Sequence, residues 1–303
     1  MWPRDEVLSA LRTRDELWDV APGVTALRGD AASLLRGLER AIGALCGVET
    51  SDDWRVPPAI DFATLARADY FASFPHWLTL ASHLSDAEDT LRRVAEHGEP
   101  AVLREASASP QAALNPAVCY HIYAALAGET IASTRIVTAQ TQCWRHEGIR
   151  HTALECGWAF TMREVVCIGS DDDARAFLER STARVTDFAR ALDLEATVAV
   201  ATDPFFAPTA RARHILQQVK ELKHELLLPL SGRSSVAASS FNLHDTFFGD
   251  AFAIRLPGGA PATTACVAFG LERWLLGFLV RHGPDAAAWP SIPVEGLLGV
   301  RHD

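Results

Sequence analysis

The chain has 303 residues and a net charge of −10, with 49% hydrophobic and 22% charged residues. This balance is typical of a folded globular protein and excludes wholesale disorder. The negative charge argues against non-specific nucleic-acid binding, which requires clustered cations. The N-terminus is charged, and the longest apolar stretch, residues 265–280, is interrupted by Glu272 and Arg273. We therefore expect a cytoplasmic protein with no secretory signal and no membrane span. Six cysteines without a close CxxC pair do not indicate a disulfide framework.

The N-terminal third is predicted to be mainly helical. Apolar residues recur with helical spacing over residues 26–46, where Asp30 is the expected N-cap. Pro57 and Pro58 exclude helix from the next segment, which we expect to be extended. Further helices are predicted over residues 81–97 and 116–127.

The rest of the chain mixes strands and helices. Two β-rich runs, residues 136–144 and 159–168, flank a polar stretch and predict a long hairpin. The later predictions, in chain order, are a helix over 172–192, a strand over 196–201, a helix over 209–228, strands over 234–242 and 247–256, and a helix over 266–280. This order predicts an α+β fold with a mainly antiparallel sheet flanked by helices. We expect one catalytic domain over residues 1–303, with residues 1–25 as an N-terminal extension.

Two arginines stand out as candidates for chemistry. Arg145 and Glu147 lie two apart in the hairpin, and on a strand they would share a face, where the cation can grip a phosphate. The alternative is a solvent-facing ion pair. Arg273 follows Gly270 in an apolar run. Its side chain must therefore either extend its charged group to the solvent or bind a charged partner. An ion pair with a neighbouring carboxylate is the alternative interpretation.

The cysteines and one aspartate give weaker signals. Cys119, Cys143, Cys156, Cys167 and Cys266 are scattered without zinc-finger spacing, and a free cysteine is often a small buried hydrophobe. Asp203, at the end of a predicted strand, is either a substrate-binding residue or a turn residue before Pro204.

Taken together, the segments resemble the three signature motifs of class II aminoacyl-tRNA synthetases. These are a helix followed by Val56-Pro57-Pro58, an Arg-x-Glu hairpin and a Gly-Leu-Glu-Arg helix. Residues 160–166 (FTMREVV) and 264–274 (TACVAFGLERW) are most similar to the zinc-dependent type of seryl-tRNA synthetase, and residues 201–206 and 240–244 add support. The length of a catalytic core without a tRNA-binding arm resembles the truncated homologues called amino acid:[carrier protein] ligases.

The resemblance implies roles for individual residues. Arg145 would contact the α-phosphate of ATP, Glu147 the adenine amino group, and Arg273 the far phosphate of bent ATP. Phe160 would pack against adenine, and Mg²⁺ would accompany the nucleotide. Cys119, Glu164 and Cys266 would hold one Zn²⁺ per chain, whose open position takes the substrate amino group. His121, His146 and His151 are the alternative ligands.

The function implied is activation of glycine or alanine as an aminoacyl-adenylate, followed by transfer to the phosphopantetheine thiol of a carrier protein. A tRNA-charging enzyme and a catalytically idle paralogue remain the alternatives, although the missing arm and the charge of −10 argue against tRNA. Class II cores are usually dimers, and residues 26–60 fit the interface of a homodimer.

The carrier protein is expected to dock on a helical insertion at residues 205–230. Carrier proteins are generally acidic, and the predicted helix places basic residues on its polar side, opposite an apolar stripe. These residues are Arg211, Arg213, Lys220 and Lys223, which include the only two lysines of the chain. The alternative is an ordinary solvated helix face.

Overall fold

The computed structural model describes residues 1–47, 52–148, 151–206, 217, 219–232 and 234–293. Its centre is a seven-stranded sheet in the order β3-β7-β8-β12-β11-β10-β9, in which β3 and β7 are parallel and every other neighbouring pair is antiparallel. These strands are β3 (Asp52–Arg55), β7 (Arg135–Trp144), β8 (Ala159–Gly169), β9 (Thr197–Val200), β10 (Lys223–Pro229), β11 (Ser235–Leu243) and β12 (Thr263–Gly270). The predicted antiparallel sheet is thus present.

Two smaller sheets lie beside the central one. The first is a hairpin of β1 (Leu17–Ala21) and β2 (Val24–Leu27). The second has the order β4-β6-β5 and consists of β4 (Ala59–Asp61), β5 (Leu80–Ala81) and β6 (Ala112–Leu114). Pro57 and Pro58 lie between β3 and β4, in the extended segment that the prolines predict.

Helices cover both faces of the central sheet. In chain order they are α1 (Arg4–Thr13), α2 (Gly29–Leu45), α3 (Phe62–Arg67), α4 (Tyr70–Ser73), α5 (Glu88–Glu96), α6 (Pro100–Ala106), α7 (Cys119–Ala125), α8 (Asp171–Ala191), α9 (Phe247–Ala251) and α10 (Leu271–His282). A capping box starts α8, because Ser170 Oγ accepts the Asp173 N–H at 3.2 Å and Asp173 accepts the Ser170 N–H at 3.3 Å. In the described part of the chain, none of the helices is long and apolar enough to cross a bilayer.

The alternation of side chains along the strands creates two separate cores. On one face, residues such as Val165, Phe241 and Val267 pack with α1, α2, α8 and α10 around the buried Trp274. On the other face, residues such as Val166 pack with α3, α4, α7 and α9. This second face also carries the polar side chains described below.

Three predicted elements differ from the structure. The helix predicted over 209–228 is wrong at its C-terminal end, because Lys223–Pro229 is a strand; residues 207–216 and 218 lie outside the described residues. The strand predicted over 247–256 is wrong, since α9 begins there and stacks Phe248 on Tyr123 at 4.3 Å. The helix predicted over 266–280 begins only at Leu271, after β12.

The other differences concern helix ends. Arg28, not Asp30, is the N-cap of α2, and Asp30 lies in its first turn. The helices predicted over 81–97 and 116–127 are shorter than expected, at Glu88–Glu96 and Cys119–Ala125. The hairpin, α8, β9 and β11 confirm their predictions to within one or two residues.

Candidate active site

A cavity of about 480 Å³ lies over one face of the central sheet. Its floor is set by cross-strand register: Lys223 on β10 pairs with Asn242 on β11, and Asn242 pairs with Cys266 on β12. A parallel row runs from Glu225 through Ser240 and Ala268 to Glu164. Residues paired across antiparallel strands project from the same face, so these side chains share one surface.

Arg145 lines the cavity. Its Nε donates to the carbonyl of Pro116 at 2.9 Å. Its guanidinium lies 5.2 Å from the ring centroid of Trp77 and 5.5 Å from that of Phe160, within cation–π range of both. A backbone carbonyl and two rings therefore hold this half-buried cation without neutralising it.

Glu147 lines the same cavity, but not in the way the two-residue spacing predicts. Strand β7 ends at Trp144, so Arg145 and Glu147 lie in the segment that follows it and do not share a strand face. The Cys156 thiol lies 3.8 Å from Glu147 Oε2. The alternative of an Arg145–Glu147 ion pair is also absent among the described residues, since Arg145 is held by the carbonyl and rings.

Arg273, in the first turn of α10, lines the cavity beside Glu155 and Ala237. Its Nε donates to the Glu155 carbonyl at 2.9 Å and its Nη1 to the Ala237 carbonyl at 3.0 Å. The Ala237 carbonyl lies at a β-bulge, where the pairing of β10 with β11 skips Ala238. The predicted alternative, an ion pair with an adjacent carboxylate, is wrong for Glu272.

Glu272 is a cavity residue that sequence reasoning missed. Its carboxylate oxygens accept the Thr161 N–H at 2.9 Å, and burial raises its pKa. This contact ties the start of α10 to β8. The available signal was an acidic residue, Glu272, in the otherwise apolar run directly before Arg273.

In the same cavity, two thiols and a carboxylate meet. Cys119 at the start of α7, Glu164 on β8 and Cys266 on β12 are all buried, and each offers a ligand atom within 4.8 Å of the other two. Burial and then Cys266 raise the pKa of Glu164 to about 7. Ligand atoms around a tetrahedral zinc lie about 3.8 Å apart, so the spacing suits that ion. Three groups that ligate as anions are unfavourable together in a buried place without a cation. The donor set therefore fits Zn²⁺.

Neighbouring groups orient these potential ligands. Glu164 accepts the Val118 N–H at 3.0 Å and the Cys119 N–H at 3.1 Å, one on each carboxylate oxygen. The Cys266 sulfur lies 3.6 Å from Asn242 Nδ2 and 3.9 Å from His244 Nε2. Such surrounding hydrogen bonds are a regular feature of metal sites. In the part of the chain that the structure describes, His121, His146 and His151 do not belong to this cluster.

Asp203 and Lys223 form an ion pair in the cavity wall. Lys223 Nζ lies 2.6 Å from Asp203 Oδ1 and 3.0 Å from Glu225 Oε1. Asp203 also accepts from Gln217 Nε2 at 2.8 Å and donates its backbone N–H to Gln217 Oε1 at 2.7 Å. Burial acts to raise the pKa of Asp203, but Lys223 and Gln217 hold it below its ordinary value.

The position of Lys223 corrects the predicted docking helix. Lys223 is buried on a strand and lines the cavity, so it cannot be on a solvent-exposed helix face. Lys220 does lie at the surface, with its Nζ 2.9 Å from Asp245 Oδ2. Arg211 and Arg213 fall outside the described residues.

Solved structures with the same architecture are class II synthetases. The seryl-tRNA synthetase of M. kandleri, solved with A. aeolicus tRNASec, matches with a TM-score of 0.82 at 22% identity, over 98% of this chain and 60% of that one. The cytoplasmic serine-tRNA ligase of Naegleria fowleri, solved with AMP, matches with a TM-score of 0.73 at 10% identity, over 98% of this chain and 59% of that one. The fold is therefore that of a class II aminoacyl-tRNA synthetase core.

Sequence comparison narrows the class to a family. Amino acid--[acyl-carrier-protein] ligase 1 of Bradyrhizobium diazoefficiens is 36% identical over 251 residues, which cover 82% of this chain and 76% of the relative. Ligase 2 of the same organism is 38% identical over 250 residues, covering 81% and 74%. This chain belongs to the amino acid:[acyl-carrier-protein] ligase family. The type-2 serine--tRNA ligase of Methanopyrus kandleri is 30% identical over 207 residues, or 64% of this chain but only 39% of that relative. No family model matches the chain.

Proposed function

We propose that this ligase activates glycine or alanine with ATP and transfers the aminoacyl group to the phosphopantetheine thiol of a carrier protein. Membership of the family supports the reaction type. The observation that carries the proposal is the cavity itself, which is lined both by two guanidinium groups and by a cluster of two cysteines and a glutamate. An aminoacyl-adenylate has a negative phosphate and an amino group, and these match the two kinds of lining group.

In the first half-reaction, a carboxylate oxygen of the amino acid attacks the α-phosphorus of ATP and pyrophosphate leaves. The carboxylate is already ionised at neutral pH, so no protein base is required. The protein must instead stabilise charge on phosphorus, and Arg145 and Arg273 are placed in the cavity for that task. Glu147 would bind the adenine amino group, and Phe160 would pack against the base. Mg²⁺ bound with ATP would add to the charge stabilisation.

The amino group of the substrate is proposed to bind at the cluster of two cysteines and a glutamate. Cys119, Glu164 and Cys266 would hold one Zn²⁺, which when bound supplies an open coordination position for that amine. Asp203 is proposed to contact the amine or a bound water, because it lines the cavity beside Lys223. One methylene in a pocket changes discrimination by only about 1–3 kcal/mol, so partial cross-reaction between glycine and alanine is expected.

In the second half-reaction, the pantetheine sulfur attacks the acyl carbon, the thioester forms and AMP leaves. The carrier protein is proposed to dock near residues 205–222, where Lys220 is exposed and Arg211 and Arg213 add charge in sequence. Charge complementarity of this kind speeds encounter with an acidic partner. We expect the reaction in the cytoplasm, where free thiols persist.

A homodimer is proposed through residues 26–60, which include α2 and the edge strand β3. An edge strand presents unpaired backbone groups that a second copy can cover. Sedimentation that detects only the 32.9 kDa monomer across micromolar concentrations would contradict this assembly.

The decisive experiment is an amino-acid-dependent ATP–pyrophosphate exchange screen over all twenty amino acids, followed by transfer to a phosphopantetheinylated carrier protein. Exchange with glycine or alanine and a thioester product are expected. Charging of total tRNA, run in parallel, would favour the tRNA-charging alternative. No exchange with any amino acid would favour the idle paralogue and overturn the proposal.

A further inference from the structure

Tyr70 is a buried cavity residue with an unpartnered hydroxyl. Its side chain is 2% exposed, it lines the cavity, and its OH has no hydrogen-bond partner among the described residues. Buried polar atoms are nearly always hydrogen-bonded, and leaving one unpaired is unfavourable. The exception calls for a partner that is present only during function.

The fold fixes the ring of Tyr70 in this position. Asp69, with φ of 52°, turns the chain between α3 and α4, and Tyr70 is the first residue of α4. The ring packs 5.6 Å from Phe74 and, edge to face, 5.9 Å from Tyr120, which directly follows the potential ligand Cys119. Two ring contacts leave the hydroxyl little freedom to find another acceptor.

The chemistry of the surroundings identifies the missing acceptor. Arg145 lines the same cavity and is close enough to lower the pKa of Tyr70, although burial raises that pKa well above its ordinary value overall. The phenol is therefore a neutral donor at physiological pH, in a cavity that a guanidinium also lines. A neutral donor and a guanidinium on one cavity suit an anionic oxygen that accepts from both.

We infer that Tyr70 is a substrate-binding residue whose hydroxyl donates to an anionic oxygen held by Arg145. This inference rests on the proposed function, in which that oxygen belongs either to the amino-acid carboxylate or to the α-phosphate. With the α-phosphate as acceptor, the hydrogen bond strengthens as charge develops on phosphorus, and with the carboxylate as acceptor it orients the attacking group; in both cases its loss affects activation more than folding.

The test compares Tyr70→Phe, which removes only the hydroxyl, with the wild-type chain in ATP–pyrophosphate exchange. The expected result is a loss of about 10- to 100-fold in kcat/KM with an unchanged or higher Tm. A raised KM for glycine with an unchanged KM for ATP identifies the carboxylate as the acceptor. A lower kcat with both KM values unchanged identifies the α-phosphate. Exchange within twofold of wild type overturns the inference, including the case in which a water satisfies the hydroxyl.

Two further variants separate the hydroxyl from the ring. Tyr123→Phe removes a hydroxyl that is 3.3 Å from His244 Nδ1, so its Tm should fall where that of Tyr70→Phe does not. Tyr70→Leu removes the ring contacts as well and should lower the Tm together with the exchange rate.

Binding of a sulfamoyl analogue of glycyl-adenylate, measured by calorimetry, is independent of turnover. Tyr70→Phe should bind it at least about 10-fold more weakly than the wild-type chain. Equal affinities overturn the inference. If the wild-type chain supports no exchange, the proposed function fails, and this binding comparison still decides the role of Tyr70.

Discussion

Two groups of side chains in the cavity hold charge in opposite ways. Arg145 and Arg273, the arginine pair, are anchored by backbone carbonyls and, for Arg145, by aromatic rings, and in the described part of the chain neither has a carboxylate within ion-pair distance. Cys119, Glu164 and Cys266, the metal cluster, crowd three potential anions together. The arginine pair keeps positive charge available for a ligand, and the metal cluster calls for a cation. Both kinds of charge are in place before any substrate enters, which suits electrostatic catalysis.

Substitution of the arginine pair should give the largest effect. Arg145→Ala or Arg273→Ala should lower amino-acid-dependent exchange by about 100- to 1,000-fold or more, because each removes charge stabilisation from the phosphates. Zinc content, measured by atomic absorption, should stay at the wild-type value because neither arginine belongs to the cluster that would hold the ion. Arg92→Ala, in an exposed i,i+4 pair with Glu88 on α5, is the matched control and should retain full exchange. Loss of zinc in either arginine variant would contradict the prediction that zinc binding does not depend on the arginines.

Substitution in the metal cluster should remove metal binding without removing nucleotide binding. Cys266→Ser should reduce zinc from about one ion per chain to background and remove exchange, while ATP binding measured by calorimetry persists, because the arginine pair is unchanged. Cys46→Ser changes a cysteine outside the cluster and should keep both zinc and exchange. Full exchange by a zinc-free Cys266→Ser preparation would refute the metal assignment.

The two lysines of the chain should respond very differently to substitution, because Lys223 lies in the cavity wall and Lys220 lies at the surface. Lys223→Met strips the cation from Asp203 and Glu225 in a largely buried place and should lower the free energy of unfolding by about 3 kcal/mol. Lys220→Met breaks an exposed pair with Asp245 and should cost less than about 1 kcal/mol. Urea denaturation of both variants measures the difference. Equal losses of unfolding free energy in the two variants would show that the buried ion pair contributes no more to stability than the exposed one.

The smallest expected effect lies outside the cavity. Reversing Arg213 and Lys220 to Glu should slow thioester transfer several-fold, most at low salt, because long-range steering of an acidic carrier is screened by ions. Adenylate formation should not change. Equal losses in both half-reactions would indicate a folding defect, and unchanged transfer would place the docking surface elsewhere.

Sequence patterns predicted the elements whose apolar residues recur with a single spacing, either that of a helix or that of a strand. The β7–β8 hairpin and α8 have clear β and helical spacing, so their positions followed directly. Leu222 and Leu226 are four residues apart, and this spacing is compatible with one face of a helix and with one face of a strand. The segment that contains Leu226 is a strand because its backbone pairs with β9 and β11. The burial of Lys223 had no sequence signal, because its partner Asp203 lies 20 residues away.

The metal cluster shows a different limit. Cys119 and Glu164 are 45 residues apart, and only the pairing of β8 with β12 and the packing of α7 bring them to Cys266. No spacing rule identifies such ligands, and only the family resemblance suggested them. Tyr70 was missed because an unpaired hydroxyl is a property of packing and leaves no pattern in the sequence.

The two cross-strand rows under the cavity depend on the alternation of side chains between the two faces of each strand. Lys223 and Glu225, Ser240 and Asn242, and Cys266 and Ala268 are pairs of alternate residues on neighbouring strands. Inserting or deleting one residue before either row would exchange the faces of that strand and send the polar groups into the helix-packed core. In the described strands of the central sheet, a single extra residue is accommodated at the bulge of Ala238. Homologues that keep the cavity should therefore differ in the length of these strands only by even numbers of residues. A one-residue gap in an alignment of these strands then marks either a misplaced gap or a lost site.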